Sequence, residues 1–142
     1  MLKLLLPVDG SDSSSRAIDF AVEKRGWYKD PVEFHLINVQ PPVPFGGRVA
    51  SAIGHNALEQ YHRDEGMAAL KPIMQKLDAL GVPYVHHISV GEPGEVIAEF
   101  AKEKGFDQIV MGRKGLGTTG LLLGSVTTKV IHLSDVPVLL VK

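Results

Sequence analysis

The chain has 142 residues, 44% of them hydrophobic and 22% charged, a balance that fits one globular domain with a buried core. A formal net charge of -1 supplies no overall basic field, so nucleic acid is not expected as a partner. Cysteine is absent, which removes disulfides, thiolate nucleophiles and thiolate metal ligands together. The apolar run at Met1–Pro7 is too short for a signal peptide, and no run approaches the ~20 apolar residues of a membrane span. A cytoplasmic location without a membrane span is expected.

In chain order, Leu2–Val8 is a nearly continuous apolar run, as a strand buried on both faces requires. Asp9-Gly10-Ser11-Asp12-Ser13 is a turn rich in capping residues. It opens a segment whose Ala17, Ile18, Phe20 and Ala21 follow helical spacing, with Asp9, Asp12 or Ser13 expected as the cap. Val32–Val39 reads as a second strand and ends in the proline and glycine stretch 40–47, a loop. Helical spacing returns from about Ser51 to Leu80, clearest at Leu70, Ile73, Met74, Leu77 and Leu80. Pro72 is expected to kink or restart it. Gly81 and Pro83 stop that helix, and Tyr84–Val90 is a third strand. Gly91–Glu95 starts a third helix through Val96, Ile97, Phe100 and Ala101, closed by Lys102, Lys104 and Gly105. Asp107–Met111 is a fourth strand, followed by the glycine-rich segment Gly112–Gly124. A last helix runs from Ser125 to about Leu133, and a last strand from Val136 to Val141.

Strands joined by helices pair in parallel through right-handed crossovers. The expected architecture is α/β: one doubly wound domain over residues 1–142, with a five-stranded parallel sheet of order 3-2-1-4-5 and helices on both faces. Ligands of such sheets bind beyond the carboxyl ends of the strands, where strand order reverses. Two loops have the composition for this, Asp9–Ser13 and Gly112–Ser125, and they face each other if the first and fourth strands are neighbours. In the second loop, glycines admit close backbone approach to an anion and successive N–H groups form a nest. Gly124-Ser125 opens a helix whose N-terminus attracts phosphate, and Arg113 and Lys114 add positive charge. The alternative is a plain connector with Ser125 as an N-cap.

Gly115-Leu116-Gly117-Thr118-Thr119-Gly120 matches G-x-G-x-x-G, but the dinucleotide fingerprint belongs after the first strand of its unit. Here too little chain follows for the second half of that fold. No Walker A sequence is present.

Four segments together resemble the universal stress protein family along nearly the whole chain. They are Pro7-Val8-Asp9-Gly10-Ser11, Gly91-Glu92-Pro93, Asp107–Gly112 running into Gly124-Ser125-Val126, and Val136–Val141. ATP-binding members carry G-x2-G-x9-G-[ST]. Gly112-Arg113-Lys114-Gly115 matches its first part and Gly124-Ser125 its end, while the spacer Leu116–Leu123 has eight residues where the pattern has nine. The resemblance implies ATP, ADP or AMP as ligand. Asp9 and Val39 would contact adenine and ribose, and Gly112, Gly115, Gly124, Ser125 and Val126 the ribose and phosphates. Pro7, Val8, Met111, Arg113, Lys114 and Thr127 complete the expected binding set. A side chain at Gly115 is expected to fill the phosphate space.

No catalytic residue is expected, since Asp9 is the one acid placed in the site and binds the base; hydrolysis is at most slow. Adjacent His86 and His87 point to opposite faces of a strand. His55 and His62 lack a third ligand, and His35 and His132 read as ordinary surface or partly buried residues, so no protein metal site is expected. Mg²⁺ would be held through the phosphates. A faint likeness of Val8–Ser13 to the S-G-G-x-D-S loop of ATP pyrophosphatases lacks its leading Ser-Gly-Gly. The apolar edge Val136–Val141 predicts a partner strand, and the resemblance implies a homodimer through it. The competing possibilities are an edge covered by Pro41–Gly47, and a dimeric interaction module that has lost the nucleotide.

Overall fold

The computed structural model describes residues 1–43, 54–116 and 122–142. Five strands, β1 (Leu2–Pro7), β2 (Val32–Gln40), β3 (Tyr84–Val90), β4 (Gln108–Gly112) and β5 (Val138–Val141), form one parallel sheet of order β3-β2-β1-β4-β5. Among the described residues, four α-helices connect them: α1 (Asp12–Glu23), α2 (His55–Ala79), α3 (Pro93–Glu103) and α4 (Ser125–Leu133). The 3-2-1-4-5 order is the one expected.

The alternation of side chains along each central strand divides the core. Leu4, Leu6, Phe34, Leu36 and Val110 face Ile18 and Val22 of α1 and Leu70, Ile73 and Leu77 of α2. Leu5, Ile37, Ile109 and Met111 face Ile97 and Ala101 of α3 and Val130 of α4. Both faces of β1 are therefore covered, and Leu4, Leu5 and Leu6 are all fully buried. That double burial explains the unbroken apolar run.

Three expectations change in detail. α2 continues through Pro72 from His55 to Ala79 and does not restart there. Pro72 and Ala68, whose carbonyl loses its hydrogen bond to the proline, are both exposed, so water can satisfy that carbonyl. The expected start of this helix at 51–53 lies outside the described residues. β5 begins at Val138 and not Val136, because the Pro137 carbonyl only enters the ladder by accepting from Ile109 N–H. Finally, the α1 cap is Ser11: its hydroxyl accepts from Ser14 N–H at 3.1 Å. None of the three expected residues does this, because Asp9 folds onto its own turn and Asp12 and Ser13 are already helical.

β1 and β4 are neighbours with parallel register Leu4↔Gln108 and Leu5↔Ile109. α1 leaves β1 on one face and α4 leaves β4 on the other, so the crevice opens between their two loops.

Candidate functional site

A cavity of about 560 Å³ lies beyond the carboxyl ends of β1, β2 and β4. Of the expected residues, Pro7, Val8, Asp9, Val39, Met111, Gly112, Lys114, Gly115, Ser125, Val126 and Thr127 line it. Val8, Ile37, Ile97 and Met111, all buried, give it an apolar floor.

Asp9 joins the two loops. Its Oδ1 accepts from Ser11 N–H at 2.9 Å, an Asx turn of its own loop. Its Oδ2 accepts from Leu116 N–H at 3.3 Å across the crevice. A Cβ on Gly115 would lie 2.5 Å from that Oδ2. A side chain there would thus press on the Asp9 carboxylate.

Gly112 is required by packing. Its Cβ would stand 2.2 Å from Ser13 Oγ and 2.7 Å from the Ser13 carbonyl group. The end of β4 presses on the first turn of α1, where Ser13 Oγ also accepts from Lys114 N–H at 3.4 Å. On the other side Thr127 Oγ1 donates to the Gly112 carbonyl at 3.0 Å. This bond fixes the first turn of α4 against β4, with Ser125, Val126 and Thr127 along the cavity. The N–H groups of that turn have no intrahelical acceptor, and the helix dipole makes them attractive to anions.

The glycine-rich segment is closed at its base. Gly124 N–H donates to the Arg113 carbonyl at 2.9 Å, and a Cβ on Gly124 would meet Lys114 Cα at 2.9 Å. Gly115 and Gly124 are brought together by their own backbones, so the spacer length does not decide where they stand. Residues 117–121, which include most of the G-x-G-x-x-G match, lie outside the described residues.

Arg113 and Gly124 do not line the cavity. Gly124 is the buried closure just described. Arg113 N–H donates to the Val141 carbonyl at 3.3 Å, and its Nε is buried without a hydrogen-bond partner among the described residues.

Several lining residues escaped sequence reasoning. Buried Asn38 donates Nδ2 to the Val8 carbonyl at 2.8 Å and accepts from Gln40 Nε2 at 2.7 Å, steadying the end of β1. A polar residue between Ile37 and Val39 was its available signal. Glu65, Ala68 and Ala69 reach the cavity from α2. Nothing local marks them, because their place depends on how α2 lies over the sheet.

The histidines also pair in a way that sequence did not show. His35 Nε2 donates to Glu33 Oε1 at 2.7 Å, leaving Nδ1 to accept from His87 Nε2 at 2.9 Å. His35 is therefore a buried core residue. The His35 bond holds the Glu33 carboxyl below the usual carboxylate range. Burial, then the neighbouring His35, pulls His87 below the ordinary histidine range. Among the described residues, no group of three or more His, Asp or Glu side chains is placed to hold a metal ion.

A family model described as the universal stress protein family matches residues 1–142. A universal stress protein of Methanocaldococcus jannaschii, MJ0531, is 35% identical over 141 residues, covering 99% of this chain and 81% of the relative. The solved structure of a second protein of that organism, MJ0577, superposes with a TM-score of 0.81 at 30% identity, covering 99% of this chain and 95% of the other. A universal stress protein solved in complex with cAMP superposes with a TM-score of 0.68 at 28% identity, covering 99% and 97%.

Proposed function

The chain belongs to the universal stress protein family, and on that premise we propose that it is a regulatory protein of the stress response that binds an adenine nucleotide beyond β1 and β4. The observation that carries the reading is the form of the 560 Å³ cavity: an apolar floor, with Asp9, Lys114 and the first turn of α4 on its walls. The cAMP complex of a relative 28% identical supports the choice of an adenine ligand.

In this reading the base lies on Val8, Val39 and Met111. The Asp9 carboxylate accepts from the exocyclic amine or the ribose hydroxyls, exchanging its bond to Leu116 N–H for one to the ligand. Gly112 and Gly115 let the backbone approach the ribose and phosphates. The N–H groups of Ser125, Val126 and Thr127 and the Lys114 ammonium take the phosphate oxygens. ATP, ADP and AMP all fit this chemistry, with Mg²⁺ bound through the phosphates where there are two or more. In this reading hydrolysis is at most slow. The location is the cytoplasm, where such nucleotides are abundant.

The protein works as a homodimer through β5 in the same reading. β5 is a sheet edge, and Ile131 and Leu133 of the adjoining α4 are exposed at 44% and 45%, apolar surface that a second copy would cover.

Mass spectrometry of the small molecules released on denaturation, followed by calorimetric titration with AMP, ADP and ATP, tests the site. Saturable binding is expected. Lys114→Ala should weaken ATP by roughly tenfold, as loss of a charge-assisted hydrogen bond implies, and adenosine much less. No co-purifying nucleotide and no binding at millimolar ATP would leave the dimeric interaction module as the function.

A further inference from the structure

A second cavity, of about 700 Å³, lies along the first half of α2, between that helix and β3. Its size falls in the roughly 300–1,000 Å³ range of small-molecule sites. Glu65, Ala68 and Ala69 of α2 line the first cavity, whereas Leu58, His62, Arg63 and Met67 line the second. The two are therefore separate spaces.

The walls are apolar. Leu58 and Met67 come from α2, Ile88 and Val90 from β3, and Pro42 and Val43 from the segment after β2. Val90 is 48% exposed, a large apolar side chain on the wall of an open hollow.

Among the lining residues, basic side chains outnumber acidic ones. His55, His62, Arg63 and His86 bring N–H donors, and Glu59 is the single carboxylate. Glu59 is already engaged, 3.0 Å from His55 Nε2. Arg63 donates only a long 3.4 Å bond to the neutral Gln60 amide and makes no ion pair among the described residues. His62 is 7% exposed, and its Nδ1 is buried with no hydrogen-bond partner among the described residues. A proton on that nitrogen would be buried without an acceptor, so the neutral ring carries its proton on Nε2. His62 thus adds a donor to the walls that carry the Arg63 guanidinium. Apolar walls with unmatched donors and a guanidinium fit a ligand with an apolar body and an anionic head.

We propose that this second cavity binds a small apolar carboxylate, of the medium-chain fatty acid class, with its chain against Leu58, Met67, Ile88 and Val90 and its carboxylate on Arg63 and His62. Binding there touches α2, which also carries Glu65, Ala68 and Ala69 of the first cavity, so the site is placed to influence the nucleotide site through one helix. The carboxylate site itself stands whether or not a nucleotide binds.

Calorimetric titration of the full chain with decanoate, decanol and decylamine tests this. Decanoate is expected to bind saturably, one per chain, with a dissociation constant below about 1 mM, and the alcohol and amine at least tenfold more weakly. Arg63 is exposed on α2, so Arg63→Gln leaves the fold intact and should weaken decanoate roughly tenfold, the loss of one charged hydrogen bond. His62→Leu, checked by circular dichroism, should weaken it further. AMP at saturation should not displace decanoate. Equal affinity for acid, alcohol and amine, unchanged affinity in Arg63→Gln, or competition by AMP would each overturn the proposal. A failure of AMP to bind at all would count against the nucleotide reading and leave the decanoate result standing.

Discussion

Gly112 ends β4 at a point where the backbone of α1 stands too close for any side chain. Because Ser13 carbonyl atoms, and not only its flexible hydroxyl, lie 2.7 Å from a Cβ built there, relief requires moving a helix. Gly112→Ala is expected to lower stability by roughly 2 kcal/mol, an overpacking cost, read as a shift of the urea midpoint. An unchanged midpoint would show that the contact relaxes freely. Asp9 was legible at this scale, since an acid ending a doubly buried strand has few roles beyond a site or a cap. Its division of labour with Ser11 was not. Several residues of the Asp9–Ser13 turn can cap, and the backbone chooses by which hydroxyl or carboxylate meets a free N–H. The His35–His87 pair was hidden for another reason: those residues meet only when β2 and β3 take the register His35↔Val85 and Ile37↔His87.

Elements were the most legible level. Each strand showed as an apolar or alternating run, and each helix as a spaced apolar set bounded by glycine or a cap. Pro72 shows where such rules bend, because on the wet side of a helix the lost hydrogen bond has water to replace it. The ends of β5 depended on ladder partners in β4, which sequence does not reveal. That strand also carries a prediction. Pro137 and Val141 turn their carbonyls toward β4, so the backbone of Leu140 faces outward from the sheet. Leu140→Pro removes an outward N–H and keeps the β4 ladder. It is expected to convert a dimer into a monomer in sedimentation, with far-ultraviolet dichroism unchanged. A dimer that survives would move the interface away from this edge.

At the scale of the whole molecule, stability should depend on pH through the chain Glu33–His35–His87. His87 is held below the ordinary histidine range by burial and by His35, His86, Lys3 and Lys104 around it. The unfolded chain therefore takes up a proton near pH 6.5 that the folded chain still refuses. Stability is present above that pH and is lost as pH falls below it, toward the lower folded value. Urea midpoints from pH 7.5 to 5 should decline, and His87→Gln should flatten the decline while its amide still donates to His35. An equally steep decline in the variant would assign the effect to other groups. Whether the sheet leaves room for ligands was only half readable at this level. The crevice beyond β1 and β4 follows from strand order, but the hollow between α2 and β3 depends on how a 25-residue helix lies on its strand. The backbone clasp between Arg113 and Gly124 has a practical meaning of its own. Lys114 and Leu116 are still tied to the body through Ser13 and Asp9, but beyond Leu116 added chain length costs little in closure entropy. Foreign peptides or a reporter domain spliced in after Leu116 should leave the sheet undisturbed, which makes this stretch the natural graft site for turning the protein into a sensor.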